Sequence, residues 1–202
     1  YHDAMRNISA VIDPAPGARV MGLSLIIDGG RSIFVADTAV HESPNAEELA
    51  DIAQQAATEV RRFGHEPRVA LVSFANFGHP SLPRADIVRD AVAILDKRDA
   101  SFEYDGEMSV DVALNKDLMK LYPFCRLSDT ANVLIMPGLH SAQIAMKLLA
   151  AVGGSTVLGP LIKGLVKPVQ VVPMGATVSD MVTLAALTAH EAALQGQGPA
   201  RS

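Results

Sequence analysis

The sequence predicts an α/β domain with a mostly parallel mixed sheet sandwiched by helices. Two observations carry this expectation. Short, almost wholly apolar runs such as 20–27 and 68–74 alternate with amphipathic stretches of roughly 12–18 residues, which is the pattern of strand-helix-strand units. The runs are also bounded by Gly, Pro and Asp clusters. Trp is absent and other aromatics are few, so the core has to be built from Ala, Val, Leu, Ile and Met.

Taken in order, residues 2–12 carry Met5, Ile8 and Ile12 at helical spacing, and Pro14-Ala15-Pro16-Gly17 stops that helix. Residues 20–27 read as a buried strand. Asp28-Gly29-Gly30 is a turn and 32–36 the returning strand, so the pair is a hairpin. Residues 45–63 form a long helix: Pro44 precedes it, Glu47 and Glu48 suit its positive end, Arg61 and Arg62 its negative end, and Gly64 ends it. The apolar run 68–74, after Pro67, is the clearest strand, and 84–97 the next helix. Residues 102–104 are a short strand closed by a turn at Asp105-Gly106. Residues 110–114 and 116–121 are short helices. A second buried strand, 132–136, ends at Pro137-Gly138. Helix 141–152 closes at Gly153-Gly154, strands follow at 156–161 and 169–172, and 177–194 is the last helix. The terminal Gly-Gln-Gly-Pro-Ala-Arg-Ser is expected to fray.

The 202 residues allow one large domain or two small lobes, and a chain of this size buries roughly 70% of its unfolded surface without staples. The formal net charge of −5 comes from interspersed charges, and without a basic stripe nucleic acid is not an expected partner. No apolar run reaches the roughly 18 residues of a membrane span. Cys125 is the single cysteine, which rules out an internal disulfide and suits a reducing cytoplasm. The chain opens at Tyr1 in what reads as mid-helix, so a piece of a longer polypeptide is expected.

Generic chemical motifs are missing. The sequence holds no dinucleotide fingerprint, P-loop, nucleophile elbow or zinc-protease pair, and its histidines are scattered, so no metal site is expected. Cys125 reads as a small buried or half-buried thiol. In an α/β sheet, ligands favour the carboxyl ends of strands, which directs attention to the loops after Phe74, Met136 and Val172. The loop 73–81, with Ser73, Asn76 and Gly78, is small, polar and able to cradle an anion. The cluster Asp105-Gly106-Glu107-Met108-Ser109-Val110-Asp111 reads as an acidic loop leading into a helix. Lys147, Lys163 and Lys167 read as solvated, with contact to phosphate groups as the alternative, and Asp180 as a complement to the start of the last helix.

Four segments together resemble the phosphate acetyl/butyryltransferases. They are Glu47-Glu-Leu-Ala-Asp-Ile-Ala53 with Phe63-Gly-His-Glu-Pro-Arg-Val-Ala70; Asp105 to Asp111; Ala131-Asn-Val-Leu-Ile-Met-Pro137 with Ile144-Ala-Met-Lys-Leu-Leu149; and Gly159 to Val169 with Pro173-Met-Gly-Ala-Thr-Val-Ser-Asp180. The stretch from Gly30 to Glu42 is similar, more narrowly, to the phosphotransacetylase-like C-terminal region of bacterial NADP-dependent malic enzymes.

The resemblance implies a phosphotransacetylase-like, isocitrate/isopropylmalate dehydrogenase-like three-layer architecture, truncated at its N-terminus. Residues 1–18 would end a first lobe, 19–172 form the main lobe, 173–195 return toward the first lobe, and 196–202 form a tail. In such enzymes acyl phosphate and coenzyme A meet in a cleft, arginines hold the phosphate and an aspartate receives the thiol proton. Asp180 matches that aspartate and Gly175 the signature glycine, whereas Met174 stands where the signature has Arg and Pro173 where it has Ser. Arg6 matches a second arginine, and Ser73, Asn76, Gly78 and Pro137 are the remaining expected ligand contacts. Losing one transition-state donor costs about 10²–10³ in rate. The implied function is thus a non-catalytic domain that binds acetyl-CoA or CoA and regulates a malic enzyme, with NADP and a divalent metal confined to the catalytic part outside this chain. A phosphate acetyltransferase that still turns over and an oligomerisation module are the rival expectations, and self-association as a dimer or larger is expected in each case.

Overall fold

The computed structural model describes residues 2–196, so positions 197–202 of the expected tail lie outside the described residues. Six strands form one sheet in the order β4-β3-β5-β2-β1-β6: β1 (Met21–Asp28), β2 (Arg31–Ala36), β3 (Arg68–Val72), β4 (Glu103–Met108), β5 (Val133–Ile135) and β6 (Thr156–Lys163). β1 pairs antiparallel with β2 and with β6, and the pairs β2–β5, β5–β3 and β3–β4 are parallel. Five strands therefore run one way and β1 alone opposes them, as a hairpin inside a doubly wound sheet requires.

Strand alternation divides the core between the two faces. Leu23, Phe34, Val69, Leu71, Val133 and Ile135 pack against α2 (Ala46–Arg62) and α3 (Pro83–Lys97). Their neighbours Val35, Ala70, Val72 and Leu134 pack on the opposite face with Val112 of α4 (Val110–Leu114), Met119 of α5 (Lys116–Met119) and Ala142 and Met146 of α6 (Leu139–Val152). The period of two along each strand produces this two-sided core. A third, smaller cluster joins Met5 of α1 (His2–Ser9) to Ala39, Ile162 and Leu165. α7 (Val178–Gly196) lies at that end, and Leu184 is its one buried side chain among the described residues.

α2 shows how local sequence fixes an element. Asn45 Oδ1 accepts the Glu48 N–H at 3.0 Å while Glu48 Oε2 accepts the Asn45 N–H at 3.0 Å, a complete capping box. Leu49, Ile52, Ala53, Ala56 and Val60 then form its buried stripe, and the alanines let the helix approach the sheet closely.

Two expected elements differ. Asp105-Gly106 is no turn but the middle of β4, and Asp105 and Glu107 are buried. Gly106 takes φ +152° with the Leu71 carbonyl oxygen where a Cβ would stand, so glycine is required by the neighbouring strand. Residues 169–172 form no strand. Gln170 Oε1 accepts the Ile162 N–H at 2.8 Å, so a side chain occupies the donor that a backbone ladder would have used.

Both edges of the sheet are blunted. Along β4, Glu103 Oε2 accepts the Ser128 N–H at 2.9 Å and Asp105 Oδ2 accepts the Arg126 N–H at 2.7 Å, so the passing segment is bonded to edge carboxylates. On β6, the ladder to β1 slips between Leu23 and Leu25, opposite Gly159-Pro160, and proline brings no N–H.

Candidate functional site

The winding of the chain places a crevice between β3 and β5. α3 leaves β3 over one face of the sheet and α6 leaves β5 over the other. Adjacent strands whose helices depart to opposite faces open a cleft at their carboxyl ends. A groove of about 1050 Å³ lies there, walled by Ser73, Phe74, Ile87, Ile144 and Leu148 and floored by Pro137 and Gly138. The first turns of α3 and α6 border it, and neither N-cap residue, Leu82 nor Gly138, supplies a capping side chain. Arg84 and His140 stand beside those turns, and Arg84 makes no ion pair among the described residues. The groove is thus apolar along its length, with two helix starts, Arg84 and the Glu42 carboxylate at its rim.

A second groove, about 850 Å³, opens where the carboxyl end of β6 meets the start of β1. Residues 14–20, Val40, His41, Gly164, Leu165 and Glu191 line it. Its arginines are engaged already: Arg19 reaches Asp51 at 2.8 Å and Glu48 at 3.1 Å, and Arg62 reaches Glu59 at 2.6 Å. Burial would raise the Asp51 carboxyl, but Arg19 and Arg98 hold it below its ordinary range. Among the described residues, no unengaged guanidinium lines this groove.

One loop walls both grooves: Val40 and His41 face the second, Glu42, Ser43 and Pro44 the first. Asp37 holds that loop. Its carboxylate, almost completely buried, accepts the N–H groups of Gly22 (2.7 Å), Ala39 (2.7 Å), Val40 (3.2 Å) and His41 (2.8 Å), and meets His41 Nδ1 at 2.6 Å. Burial pushes its pKa up, yet His41 and the backbone donors outweigh burial and hold it below the ordinary value. Beside it, Thr38 Oγ1 and Ser24 Oγ lie 2.9 Å apart.

The structure gathers Ser73 and Pro137 in the first groove and places the other expected site residues elsewhere. Asn76 Oδ1 accepts the Ser109 N–H at 2.7 Å and hydroxyl at 3.0 Å, and the Gly78 N–H donates to Glu107 Oε1 at 2.6 Å. Both thus turn inward, toward the carboxyl end of β4. Arg6 is exposed and pairs with Asp3 at 3.2 Å. Met174 is fully exposed, and open space surrounds Gly175. Asp180 Oδ2 accepts the Thr177 N–H and hydroxyl, each at 2.8 Å, while Thr177 Oγ1 accepts the Asp180 N–H at 3.2 Å. Those Thr177 bonds, backbone first, lower the Asp180 pKa. Asp180 thereby closes a capping box at the start of α7.

Lys163 corrects the solvated reading. It is buried, 2.7 Å from Glu191 Oε2 and 3.3 Å from Glu59 Oε2, and so fastens α7 to the body. Cys125 is half-buried, and burial pushes its thiol pKa up. No three His, Cys, Asp or Glu side chains group as a metal site among the described residues, and no described helix is long and apolar enough to cross a membrane. Asp37 and Arg84 escaped the sequence reading. The available signal for Asp37 was an acid set directly behind an apolar strand and followed by Thr-Ala-Val.

Comparison with known proteins bears on this geometry. The family described as phosphate acetyl/butaryl transferase matches residues 1–189. An NADP-dependent malic enzyme of Rhizobium meliloti (strain 1021) is 55% identical over 192 residues, covering 95% of this chain and 25% of that protein. A phosphate acetyltransferase of Thermoanaerobacterium thermosaccharolyticum is 36% identical over 199 residues, covering 94% of this chain and 61% of that one. A solved phosphotransacetylase from Streptococcus pyogenes superposes with a TM-score of 0.88 at 30% identity, covering 95% of this chain and 60% of the other. The chain thus spans about a quarter of its malic-enzyme relatives and about three fifths of the phosphotransacetylases.

Proposed function

From the premise that the chain belongs to the phosphate acetyl/butaryl transferase family, we propose that it is the phosphotransacetylase-like region of a malic-enzyme-type polypeptide, and that it binds acetyl-CoA as a regulatory ligand without transferring the acetyl group. The malic-enzyme relatives, which match over 95% of this chain, support the first part. In that polypeptide, NADP and a divalent metal would belong to the oxidative decarboxylation of malate by the part outside this chain.

The observation that carries the absence of transfer is the state of the terminal signature. Met174 stands exposed where the resemblance expects a phosphate-clamping arginine. Asp180, the expected proton acceptor, is committed to Thr177. A thioether offers no charge to a phosphoryl group, and a carboxylate already accepting two hydrogen bonds is a weak base. The crevice between β3 and β5 supports the binding part. Its apolar length suits a pantetheine arm, and Arg84 with two helix starts that carry no side-chain cap suits the phosphates of a nucleotide.

The test is calorimetric titration of acetyl-CoA into the longest natural polypeptide carrying this chain, with acetyl phosphate and free thiol assayed in parallel. Saturable binding, intact thioester in the presence of phosphate, and roughly tenfold weaker binding by Arg84→Ala are expected, a tenfold change being about 1.4 kcal/mol. Absence of binding defeats the regulatory reading, and phosphate-dependent release of CoA defeats the non-catalytic one in favour of an active transferase.

A further inference from the structure

A cavity of about 580 Å³ lies between the second half of α7 and the body, bordered by the end of α2 and by β6. It meets the second groove at Glu59, Arg62 and Glu191, and shares no lining residue with the crevice between β3 and β5. Protein interiors hold few voids larger than a water molecule, whereas small-molecule sites run from about 300 to 1000 Å³, so the space is too large for a packing defect. Phe63, Leu161, Leu187 and Leu194 make its walls apolar. Leu187 and Leu194 are two turns apart on α7, about 10 Å along the axis, so the cavity is elongated.

Its polar groups converge on Lys163. The buried Nζ stands 2.7 Å from Glu191 Oε2, 3.3 Å from Glu59 Oε2 and 5.9 Å from the centre of the Phe63 ring. Glu59 Oε1 also takes Arg62 at 2.6 Å, and the Gln170 amide is held by the Ile162 backbone at 2.8 and 3.4 Å. An ammonium carries three N–H donors, and the two glutamates engage two of them. One N–H of Lys163 is thus left without an acceptor among the described residues. A donor in so dry a place gains by meeting one. Charge is already balanced there, two carboxylates against the ammonium and one guanidinium. An anionic head beside Lys163 would be forced against Glu59 and Glu191, and a cationic head against Lys163 itself.

We propose that this cavity binds a small uncharged carbonyl compound, an amide or ketone with a short apolar chain. The carbonyl oxygen accepts from Lys163, and the chain lies between Phe63, Leu161 and the two leucines of α7. Such a ligand touches α7 and the body at once, so binding holds down a helix that has one buried side chain, Leu184, among the described residues. The site is independent of the acetyl-CoA reading, since the two share no lining residue.

The experiment uses hexanamide, hexanoate and hexylammonium as probes, which share a chain length and differ in head charge. Each is titrated at pH 7 into the longest natural polypeptide carrying this chain and followed by saturation-transfer NMR. Hexanamide is expected to bind saturably, at least fivefold more tightly than either charged probe, and to slow hydrogen exchange in the second half of α7. Leu194→Trp, at a position 47% exposed, fills the cavity from its open side and should weaken hexanamide at least fivefold. Lack of saturable binding overturns the proposal. So does equal or tighter binding of hexanoate or hexylammonium. Binding that leaves exchange in α7 unchanged, or that survives Leu194→Trp in a protein of unaltered melting midpoint, places the probe elsewhere and overturns it too. Should Leu194→Trp fail to fold, the exchange pattern of the natural sequence decides the location.

Discussion

Replacing Asp37 by alanine should be among the most damaging single changes in this chain. Its carboxylate satisfies four backbone N–H groups and one imidazole nitrogen in a buried loop. Each buried donor left unpaired costs about 1–3 kcal/mol, but Val40 and His41 are half-open and water can reach their N–H groups. Counting Gly22 and Ala39 fully and the others partly gives about 3–5 kcal/mol, a large share of the 5–15 kcal/mol typical of a domain. Asp37→Asn keeps one acceptor oxygen but turns an NH₂ toward the donors, and about 2–3 kcal/mol is expected. Urea denaturation at pH 7 measures both. The folded state holds this carboxyl below its unfolded value, so its stabilisation is complete above roughly pH 4 and is lost as pH falls through the folded value. The acid limb of stability against pH should therefore be shallower in Asp37→Asn. A loss under 1 kcal/mol for Asp37→Ala, or an unchanged acid limb for Asp37→Asn, would refute the reasoning.

Three further outcomes are expected. Lys163→Met leaves the half-buried Glu191 without its cation while Glu59 keeps Arg62, which should cost about 2–3 kcal/mol and speed hydrogen exchange in the second half of α7 before the rest of the chain. Gly164→Ala places a methyl group against the Arg19 carbonyl oxygen at a backbone φ of +87°, so a fall in the melting midpoint corresponding to roughly 3 kcal/mol or more is expected by calorimetry. Met174→Arg adds a charge to a fully exposed position and should leave stability within about 0.5 kcal/mol. Under the proposed function it should also fail to produce acetyl phosphate, because Asp180 stays bound to Thr177.

The layered fold was legible because strands buried on both faces are apolar throughout and the helices between them carry one apolar stripe. Residues 68–72 and 133–135 declare themselves in that way, and Asn45 with Glu48 marks the start of α2. β4 was cut short because Asp105 and Gly106 are turn residues by type, and nothing local reveals that Arg126 and the Leu71 backbone make them strand residues. The run 169–172 has strand composition but loses its ladder to the Gln170 side chain, a competition set by tertiary contact. At the site, Ser73 and Pro137 follow from the rule that ligands meet strand ends. Asn76 and Gly78 are on the same loop, but their partners, Ser109 and Glu107, come from about 30 residues further on. The burial of Lys163 likewise depends on Glu59 and Glu191, both remote in sequence.

The dressing of the outermost strands has a consequence for the crowded cell. A chain emerging into a concentrated mixture is in danger wherever an open row of amides offers itself as a template, since strands recruited there propagate without limit. Here the Glu103 and Asp105 carboxylates hold a local segment along one row, and Gly159-Pro160 interrupts the other. Growth by strand addition is thereby closed off.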